Sequence, residues 1–397
     1  MSNVQTLKER AVSAIETQRD ELIKISSAIH SQPELAFQEH KAAALLCDAL
    51  AARGFTVERG VGGLATAFRA ETAGNGAGPT VAFVAEYDAL PDIGHACGHN
   101  IIGTAAIAAG IGVQAVADHL PGRIVVIGSP AEEGGGGKII LLEQGVFQGV
   151  DAAMMVHPSS YTLVNRGSLA SMRLSIEFTG KASHAAAAPE DGVNALEAVI
   201  LTFNNVNALR LHLKADARVH GIITHGGVAV NIIPDYAAAL FSIRAARQSY
   251  AQAVLERVVE CAQAAGLATG AQPRYEVKPG YAEMLPNGVL AQLYAENLRM
   301  IGVEVRDPRV NERMGSTDFG NVSQALPGIH PYIAIASEDT AGHSVEFREA
   351  SNSPAGHKGL INAAKALAMT AIDLLAQPET MASAKREFAA ARGLTAP

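Results

Sequence analysis

The amino-acid sequence predicts an α/β protein in which a mostly parallel sheet forms one domain and a smaller α+β domain is inserted into it. Short apolar, β-branched runs alternate with helical stretches before residue 168 and after residue 286. Between these positions, strand-like segments alternate apolar with polar residues, as half-exposed antiparallel strands do. The length of 397 residues also exceeds what one ordinary core supports, which favours two domains.

The first part of the chain combines predicted helices with strands that are apolar throughout. Its periodicity predicts helices over 4–30 and 39–53, and the small residues of 100–117 predict a third helix that packs closely. The predicted strands cover 80–85, 123–128 and 151–156. Strands that alternate with helices indicate a parallel sheet covered on both faces, with its chemistry on the loops that follow the strands.

The inserted domain has the strand-helix-strand-strand-helix-strand order of a ferredoxin-like fold. Its predicted strands cover 172–178, 219–223 and 237–244, and its predicted helices cover 192–212 and 250–265. We therefore assign residues 1–168 and 286–397 to the first domain and 169–285 to the insertion. The last strong helix is predicted over 361–375.

Charge and composition exclude several classes of partner. The 31 Lys and Arg residues and the 39 Asp and Glu residues give a net charge of −8 without a basic stripe, so we expect no nucleic-acid partner and no membrane docking. No apolar run approaches the roughly 20 residues of a membrane span, and the N-terminus lacks the apolar region of a signal peptide. Three distant cysteines, Cys47, Cys97 and Cys261, form no disulfide framework, so we expect a cytoplasmic protein.

Residues that can bind metal ions follow the predicted strands. Cys97 and His99 lie two positions apart on one loop, and His157 ends the apolar run over 152–156. Glu132 and Glu133 precede four glycines; adjacent carboxylates repel each other unless a cation compensates, so one can bind a metal ion while the other accepts a proton. A thiolate, imidazoles and a carboxylate together suit zinc, manganese or cobalt.

Further residues extend this set. His343 lies in a glycine-containing loop after the predicted strand over 332–336, whereas His357 directly precedes a predicted helix, and we prefer His343 as the ligand. Asp88 stands two residues after Glu86 and suits a carboxylate that orients a histidine ligand.

These segments resemble the co-catalytic metallopeptidases that include glutamate carboxypeptidase, aminoacylase and hippurate hydrolase. Residues 95–100, His-Ala-Cys-Gly-His-Asn, are similar to the motif of the hippurate hydrolase branch. Residues 231–235 and 315–323 look most like p-aminobenzoyl-glutamate hydrolase subunits and β-alanyl-lysine-type dipeptidases. The resemblance runs from His30 to the last helix, and it implies a di-metal hydrolase domain with an inserted dimerisation (lid) domain.

The resemblance also implies a role for individual residues. Two divalent metal ions, zinc or manganese and alternatively cobalt, would be held by Cys97, His99, Glu133, His157 and His343, with Cys97 as the bridge. Glu132 would be the general base, and His184 would reach the developing oxyanion from the partner subunit of a homodimer. Asn231 and Arg244 would bind the substrate's backbone or carboxylate. The wider family has a histidine ligand where this chain has Glu86, which is therefore either a weak ligand or a residue behind the ligands.

The implied reaction is hydrolysis of the amide bond of an N-acyl amino acid, an aminobenzoyl-glutamate-like conjugate or a dipeptide by a metal-activated water. The alternatives are an aromatic aminohydrolase (deaminase) of the same fold and a non-catalytic metal-binding homologue, although the latter would be marked by loss of Glu132. A nucleobase deaminase would need a Pro-Cys-x-x-Cys motif, which the sequence lacks. A cysteine hydrolase built on Cys97 and His99 would leave the glutamate pair and His157 without a role.

Overall fold

The computed structural model describes residues 2–309, 312 and 314–393, which form two compact units. The large unit falls within Met1–Gly167, Leu285–Arg313 and Asn321–Pro397, and the inserted unit falls within Ser168–Met284 and Met314–Gly320. The segment Met314–Gly320 groups with the inserted unit although it follows that unit by some distance along the sequence.

Helices are present at the positions predicted over 39–53, 100–117, 192–212, 250–265 and 361–375, and further helices occur where none was predicted. In chain order they are α1 Ser2–Thr17, α2 Arg19–Ser31, α3 His40–Ala51, α4 His99–Gln114, α5 Gly137–Glu143, α6 Ala195–Arg210, α7 Gln248–Thr269, α8 Gly288–Met300, α9 Phe319–Ala325, α10 Val345–Ser351, α11 Pro354–Ala376 and α12 Pro378–Ala391. The single helix predicted over 4–30 is wrong, because Gln18 (φ −97°, ψ 3°) leaves the helical conformation and separates α1 from α2. The polar, alanine-rich tail after Gln377 forms α12, which the sequence pattern does not indicate.

The sheet of the large unit confirms the predicted mostly parallel architecture. In chain order the strands are β1 Thr56–Arg59, β2 Phe68–Ala73, β3 Thr80–Glu86, β4 Arg123–Ser129, β5 Ala152–Met154, β6 His157–Ser159, β7 Ala170–Thr179, β8 Arg218–His225, β9 Tyr236–Ala245, β10 Gln272–Tyr281, β11 Gly328–Ile329 and β12 Tyr332–Ala334. Six strands of the large unit follow the order β1-β2-β4-β3-β5-β11. β3 pairs in parallel with β4 and β5, and β5 pairs in parallel with β11, whereas β1 and β2 add an antiparallel edge.

One predicted strand is shorter than expected. The run over 151–156 forms β5 only as far as Met154, and His157 then begins β6, which pairs in parallel with β12 in a separate two-stranded sheet. His157 therefore opens a strand rather than ending one.

Small residues bring α4 against the sheet. Every residue from His99 to Val113 is buried. A Cβ at Gly103 would lie 2.8 Å from the carbonyl oxygen of Glu86, and one at Gly110 would lie 2.9 Å from a methyl carbon of Val126. Because glycine lacks a Cβ, the helix approaches β3 and β4 closely, and its first residue lies beside the end of β3.

α11 is long and apolar enough to cross a membrane by length and composition alone. Its most apolar 18-residue window has a mean hydropathy of 1.4, but 83% of that window is buried inside the protein. The helix packs against α4, α1 and α8 in the core of the large unit, and that packing accounts for its apolar composition.

The inserted unit has the predicted ferredoxin-like order. Its elements follow one another as β7-α6-β8-β9-α7-β10, and the antiparallel sheet has the strand order β10-β7-β9-β8. α6 and α7 pack on each other and on β7 and β9, which gives this unit a core of its own. β8 is left at an edge of the sheet, with Ile222 and Ile223 exposed.

We expect removal of the Lys8 charge to destabilise the large unit. Lys8 Nζ lies 2.7 Å from Asp373 Oδ1 and 2.9 Å from Asn297 Oδ1, and the side chains of Lys8 and Asp373 are only 10% and 4% exposed. Lys8→Met leaves the carboxylate buried without its cation, so urea denaturation should show a loss of about 3–5 kcal/mol in the free energy of unfolding. The Lys8→Met/Asp373→Leu double variant should recover most of this loss; an equal loss in both variants would contradict the ion-pair explanation.

Candidate metal centre

The candidate ligands lie on loops at the carboxyl ends of neighbouring strands. The loop after β3 carries Cys97 and leads to His99 at the start of α4, and the loop after β4 carries Glu132 and Glu133. His157 follows β5. Since β4, β3 and β5 are adjacent and parallel, their carboxyl ends meet at one edge of the sheet, as the sequence predicts.

A glycine sets the spacing between the first two candidate ligands. Gly98 has a φ of 79°, and a Cβ at this position would lie 2.5 Å from Cγ of Pro158. A side chain there would collide with the residue that follows His157. The tight turn lets Cys97 approach His157, and the Cys97 Sγ atom lies 3.3 Å from His157 Nε2.

The structure brings all the predicted donor side chains together. Three groups have ligand atoms within 4.8 Å of one another: Cys97, His99 and His157; Cys97, Glu133 and His343; and His99, Glu132 and Glu133. Cys97 belongs to two of these groups, so its sulfur lies where one atom could serve two ions. Glu132 is a member of the third group, so both carboxylates of the glutamate pair lie within reach of His99.

Hydrogen bonds fix which nitrogen of each buried histidine is available. His99 Nδ1 lies 2.9 Å from the carbonyl oxygen and 3.0 Å from Oδ1 of Asp88, so this nitrogen donates to both acceptors. His157 Nδ1 donates to the carbonyl oxygen of Pro158 at 2.7 Å. Burial lowers the pKa of His157 to about 4, which keeps the ring neutral near pH 7. In both rings Nε2 is therefore the nitrogen that faces the other candidate ligands, and it is the nitrogen that a metal ion would bind.

Buried polar atoms without partners lie among the candidate ligands. Among the described residues, His99 Nε2, Glu133 Oε1 and Glu86 Oε2 have no hydrogen-bond partner. The Glu133 Oε1 atom lies 3.9 Å from His99 Nε2 and 3.6 Å from Nε2 of His343. Buried polar atoms without hydrogen-bond partners are unfavourable unless another group binds them, and imidazole nitrogen and carboxylate oxygen are ligands of divalent metal ions, so these residues fit such ions.

Asp88 connects two of the loops. Its Oδ1 accepts the hydrogen bond from His99, and its Oδ2 accepts the backbone N–H of Glu133 at 3.0 Å. Burial favours the neutral acid, but the charge and hydrogen bond of His99 and the bond from Glu133 outweigh it, and the pKa of Asp88 is lowered. The sequence-based role of Asp88, orienting a histidine, agrees with this geometry.

Glu86 is held by a lysine that sequence reasoning missed. Lys138 in α5 forms an ion pair with Glu86 Oε1, and both side chains are buried. The other oxygen, Oε2, lies 3.6 Å from His99 Nε2, but Glu86 is in none of the three donor groups. Glu86 thus lies behind His99 as the partner of Lys138. The available signal was a single lysine at the start of the apolar run over 139–142.

The two competing histidines lie in different surroundings. His343 has a left-handed backbone (φ 60°), and its N–H donates to the carbonyl oxygen of Ala96 at 3.0 Å, which holds its loop against the Cys97 loop. His357 lies in the first turn of α11, and its Nε2 is 3.1 Å from Oδ1 of Asn352. Of the two, only His343 joins a donor group among the described residues.

Comparison with known proteins connects this site to a family. Residues 166–269 match the M20 family profile described as the peptidase dimerisation domain. The chain is 41% identical over 404 residues to the Xaa-Arg dipeptidase of Mus musculus, covering 98% of this chain and 93% of that protein. It is 31% identical to a p-aminobenzoyl-glutamate hydrolase component of Escherichia coli (strain K12), over 91% of this chain and 90% of that protein. The chain belongs to the M20 peptidase family.

The fold comparison agrees with this assignment. A crystal structure of a Bacillus subtilis M20 peptidase, described as dinuclear metal binding, superposes with a TM-score of 0.69 and 22% identity, over 91% of this chain and 99% of that one. The M20 assignment confirms the family resemblance of the motifs, and it makes this protein a metallo-hydrolase of an enzyme family that acts on peptide and amide bonds.

The remaining predicted residues of this M20 enzyme lie in the inserted unit. His184 and Asn231 are neighbours, because residues 184 and 232 form an isolated antiparallel bridge and the N–H of Ala185 donates to the carbonyl oxygen of Asn231 at 3.0 Å. Arg244 lies near the end of β9, opposite Ser171 of β7. Their roles toward substrate stay predictions.

We expect metal content to separate the two competing histidines. His343→Ala removes a donor that faces Cys97 and Glu133, whereas His357→Ala removes a partner of Asn352. Elemental analysis of protein purified with saturating Mn²⁺ or Zn²⁺ should show reduced occupancy for His343→Ala and wild-type occupancy for His357→Ala. The reverse pattern would move the ligand assignment to His357.

Proposed function

We propose that this M20 enzyme is a dipeptidase that uses two divalent metal ions and prefers a basic residue on the carboxyl side of the cleaved bond. The observation that carries the proposal is the donor set around Cys97, His99 and Glu133, which also includes Glu132. The substrate preference is supported by the 41% identity to the mouse Xaa-Arg dipeptidase over nearly the whole chain.

The chain's own residues divide the chemistry among them. Two ions would be held by Cys97, His99, Glu133, His157 and His343, with Cys97 shared. When bound, they would supply Lewis-acid activation, lowering the pKa of water to about 7 and polarising the scissile carbonyl. Glu132 accepts the proton from the attacking water and delivers it to the leaving amine. Asp88 accepts the hydrogen bond from Nδ1 of His99, so that Nε2 is the nitrogen that would bind a metal ion.

A second substrate class has its own support. The Escherichia coli relative at 31% identity is part of a p-aminobenzoyl-glutamate hydrolase. An aminobenzoyl-glutamate conjugate also contains an amide bond to an amino acid, but its leaving group is acidic rather than basic. The charge of the released amino acid therefore distinguishes the two candidates.

We expect the enzyme, reconstituted with Mn²⁺, Zn²⁺ or Co²⁺, to hydrolyse Xaa-Arg and Xaa-Lys dipeptides with a higher kcat/KM than Xaa-Glu, p-aminobenzoyl-glutamate or N-acetylated amino acids. Glu132→Gln should retain metal and fold but lose about 10²–10⁴-fold in kcat, because it removes only the proton acceptor. Mass spectrometry identifies the released amino acid and so shows directly which substrates are cleaved. Normal turnover by metal-loaded Glu132→Gln would refute the base assignment, and preference for the glutamate conjugate would select the second class.

The active unit is proposed to be a homodimer in which His184 serves the partner subunit. The backbone N–H groups of Ala186 and Ala187 donate to His184 Nδ1 at 3.3 and 3.1 Å. The neutral ring therefore carries its proton on Nε2, and because the side chain is exposed, that N–H can donate to an oxyanion. The match to a peptidase dimerisation domain supports the dimer. So does the edge strand β8 with its exposed Ile222 and Ile223, since an apolar edge is a surface on which a second copy can pair.

Subunit complementation tests this arrangement. Glu132→Gln and His184→Ala homodimers should each be nearly inactive, and mixing them under conditions of subunit exchange should restore activity. A mixed dimer contains one site with an intact Glu132 and an intact His184 from the other chain. If native mass spectrometry shows exchange while activity stays at the level of the parents, His184 does not act across the dimer.

A further inference from the structure

A buried carboxylate outside the donor set lies behind the turn that carries Glu132 and Glu133. Glu39 is 0% exposed. Its Oε1 accepts the backbone N–H groups of Ala131 and Phe37, each at 2.9 Å, and its Oε2 accepts the hydroxyl of Thr66 at 2.8 Å. Glu39 belongs to none of the donor groups found among the described residues.

Both of the backbone groups that Glu39 holds belong to strained residues. Ala131 has a φ of 60° and Phe37 a φ of 63°, in the left-handed region that side chains with a Cβ disfavour. Such conformations persist only where the surroundings determine them. One carboxylate oxygen bonds both N–H groups, so Glu39 couples the two strained positions.

The strained residue at 131 shapes the turn that follows it. The carbonyl oxygen of Ala131 accepts the N–H groups of Gly135 and Gly136 at 2.9 and 2.8 Å, which closes the turn around the glutamate pair. A Cβ at Gly135 would lie 2.3 Å from the ring of Phe37, so the ring lies directly on this glycine. Glu39 therefore holds the turn through two routes, its bond to residue 131 and the ring of residue 37.

The other side of the turn is held by Asp88, which accepts the N–H of Glu133 at 3.0 Å. Two buried carboxylates thus bind the residues on either side of Glu132. We propose that Glu39 is a positioning residue that sets the backbone at Ala131 and so aims Glu132 at the site of water attack. This inference rests on the proposed role of Glu132 as the base.

A graded set of variants tests the proposal. Glu39→Leu removes both carboxylate oxygens while keeping a side chain of similar volume. Glu39→Gln keeps one oxygen as an acceptor but removes the negative charge. We expect kcat to fall by roughly 10- to 100-fold in Glu39→Leu and by less in Glu39→Gln, with little change in KM, because a small misplacement of a reacting group is costly to turnover. Thr66→Val is the matched control: it removes the third bond to Glu39 but leaves both backbone bonds, so stability should fall while kcat stays near wild type.

A glycine at position 131 should restore activity that is lost in the Glu39 variants. Glycine adopts a φ of 60° without strain, so Ala131→Gly should restore much of the kcat lost in Glu39→Gln while changing the wild-type enzyme little. A kcat that tracks thermal stability alone across Glu39→Gln and Thr66→Val, or a double variant no better than Glu39→Gln, would overturn the proposal. If Glu39→Leu does not fold, Glu39→Gln carries the same comparison.

Hydrogen exchange gives a readout that does not depend on turnover. Peptides covering residues 129–137 should exchange several-fold faster in Glu39→Leu than in the wild type and by a smaller factor in Glu39→Gln, and Thr66→Val should leave them unchanged. Unchanged exchange in Glu39→Leu would refute the link from Glu39 to the turn even if Glu132 is the base. Faster exchange in the Glu39 variants together with normal activity of Glu132→Gln would support the link from Glu39 to the turn but would contradict the proposed role of Glu132 as the base.

Discussion

The hydrogen bonds of Asp88 are the interaction on which the rest of the candidate centre depends. One carboxylate oxygen fixes the ring of His99 and the other fixes the backbone of Glu133, so a single side chain joins the loop after β3 to the loop after β4. The parallel register pairs Glu86 with Ser129, which ends both strands at the same level. Because the strands align the loops and Asp88 then bonds both, the distance between His99 and Glu133 is set by the sheet rather than by flexible loops.

Buried negative charge explains why the site suits cations. Glu39, Glu86 and Asp88 are all nearly inaccessible, and isolated buried carboxylates are costly. Lys138 compensates Glu86, and hydrogen-bond donors from the backbone, Thr66 and His99 solvate Glu39 and Asp88. Glu133 Oε1 has no hydrogen-bond partner among the described residues, as is also true of Glu86 Oε2. Glu39 and Asp88 are thus satisfied by hydrogen bonds and Glu86 by an ion pair at its other oxygen, whereas Glu133 lies among the candidate ligands and is suited to an ion.

The sequence predicts the sheet, the edge of the sheet where the candidate ligands lie and the members of the donor set. These features can be predicted because each depends on residues that are close together in the sequence. A strand such as Thr80–Glu86 consists mostly of consecutive apolar residues, which are visible in the sequence. Cys97 and His99 are only two positions apart, so their proximity is visible as well. What the sequence misses depends on contacts between distant segments. The Glu86–Lys138 pair spans 52 positions, as 138 − 86 shows, and Glu39 meets Ala131 only in the fold. The separate strand that begins at His157 likewise depends on pairing with Tyr332–Ala334, which no pattern within 151–156 reveals.

The candidate ligands differ in burial, so one side of the site is buried and the other is exposed. The side chain of His99 is 0% exposed and that of Glu133 is 14% exposed, whereas that of His343 is 55% exposed. His99 lies at the start of a helix whose first fifteen residues are all buried, so the inner side of the set is closed by α4 and the sheet. Within the large unit, the donor set is therefore more exposed on the side of His343. Its loop is fixed by a strained backbone and a bond to Ala96, so the open side of the site is formed by ordered chain.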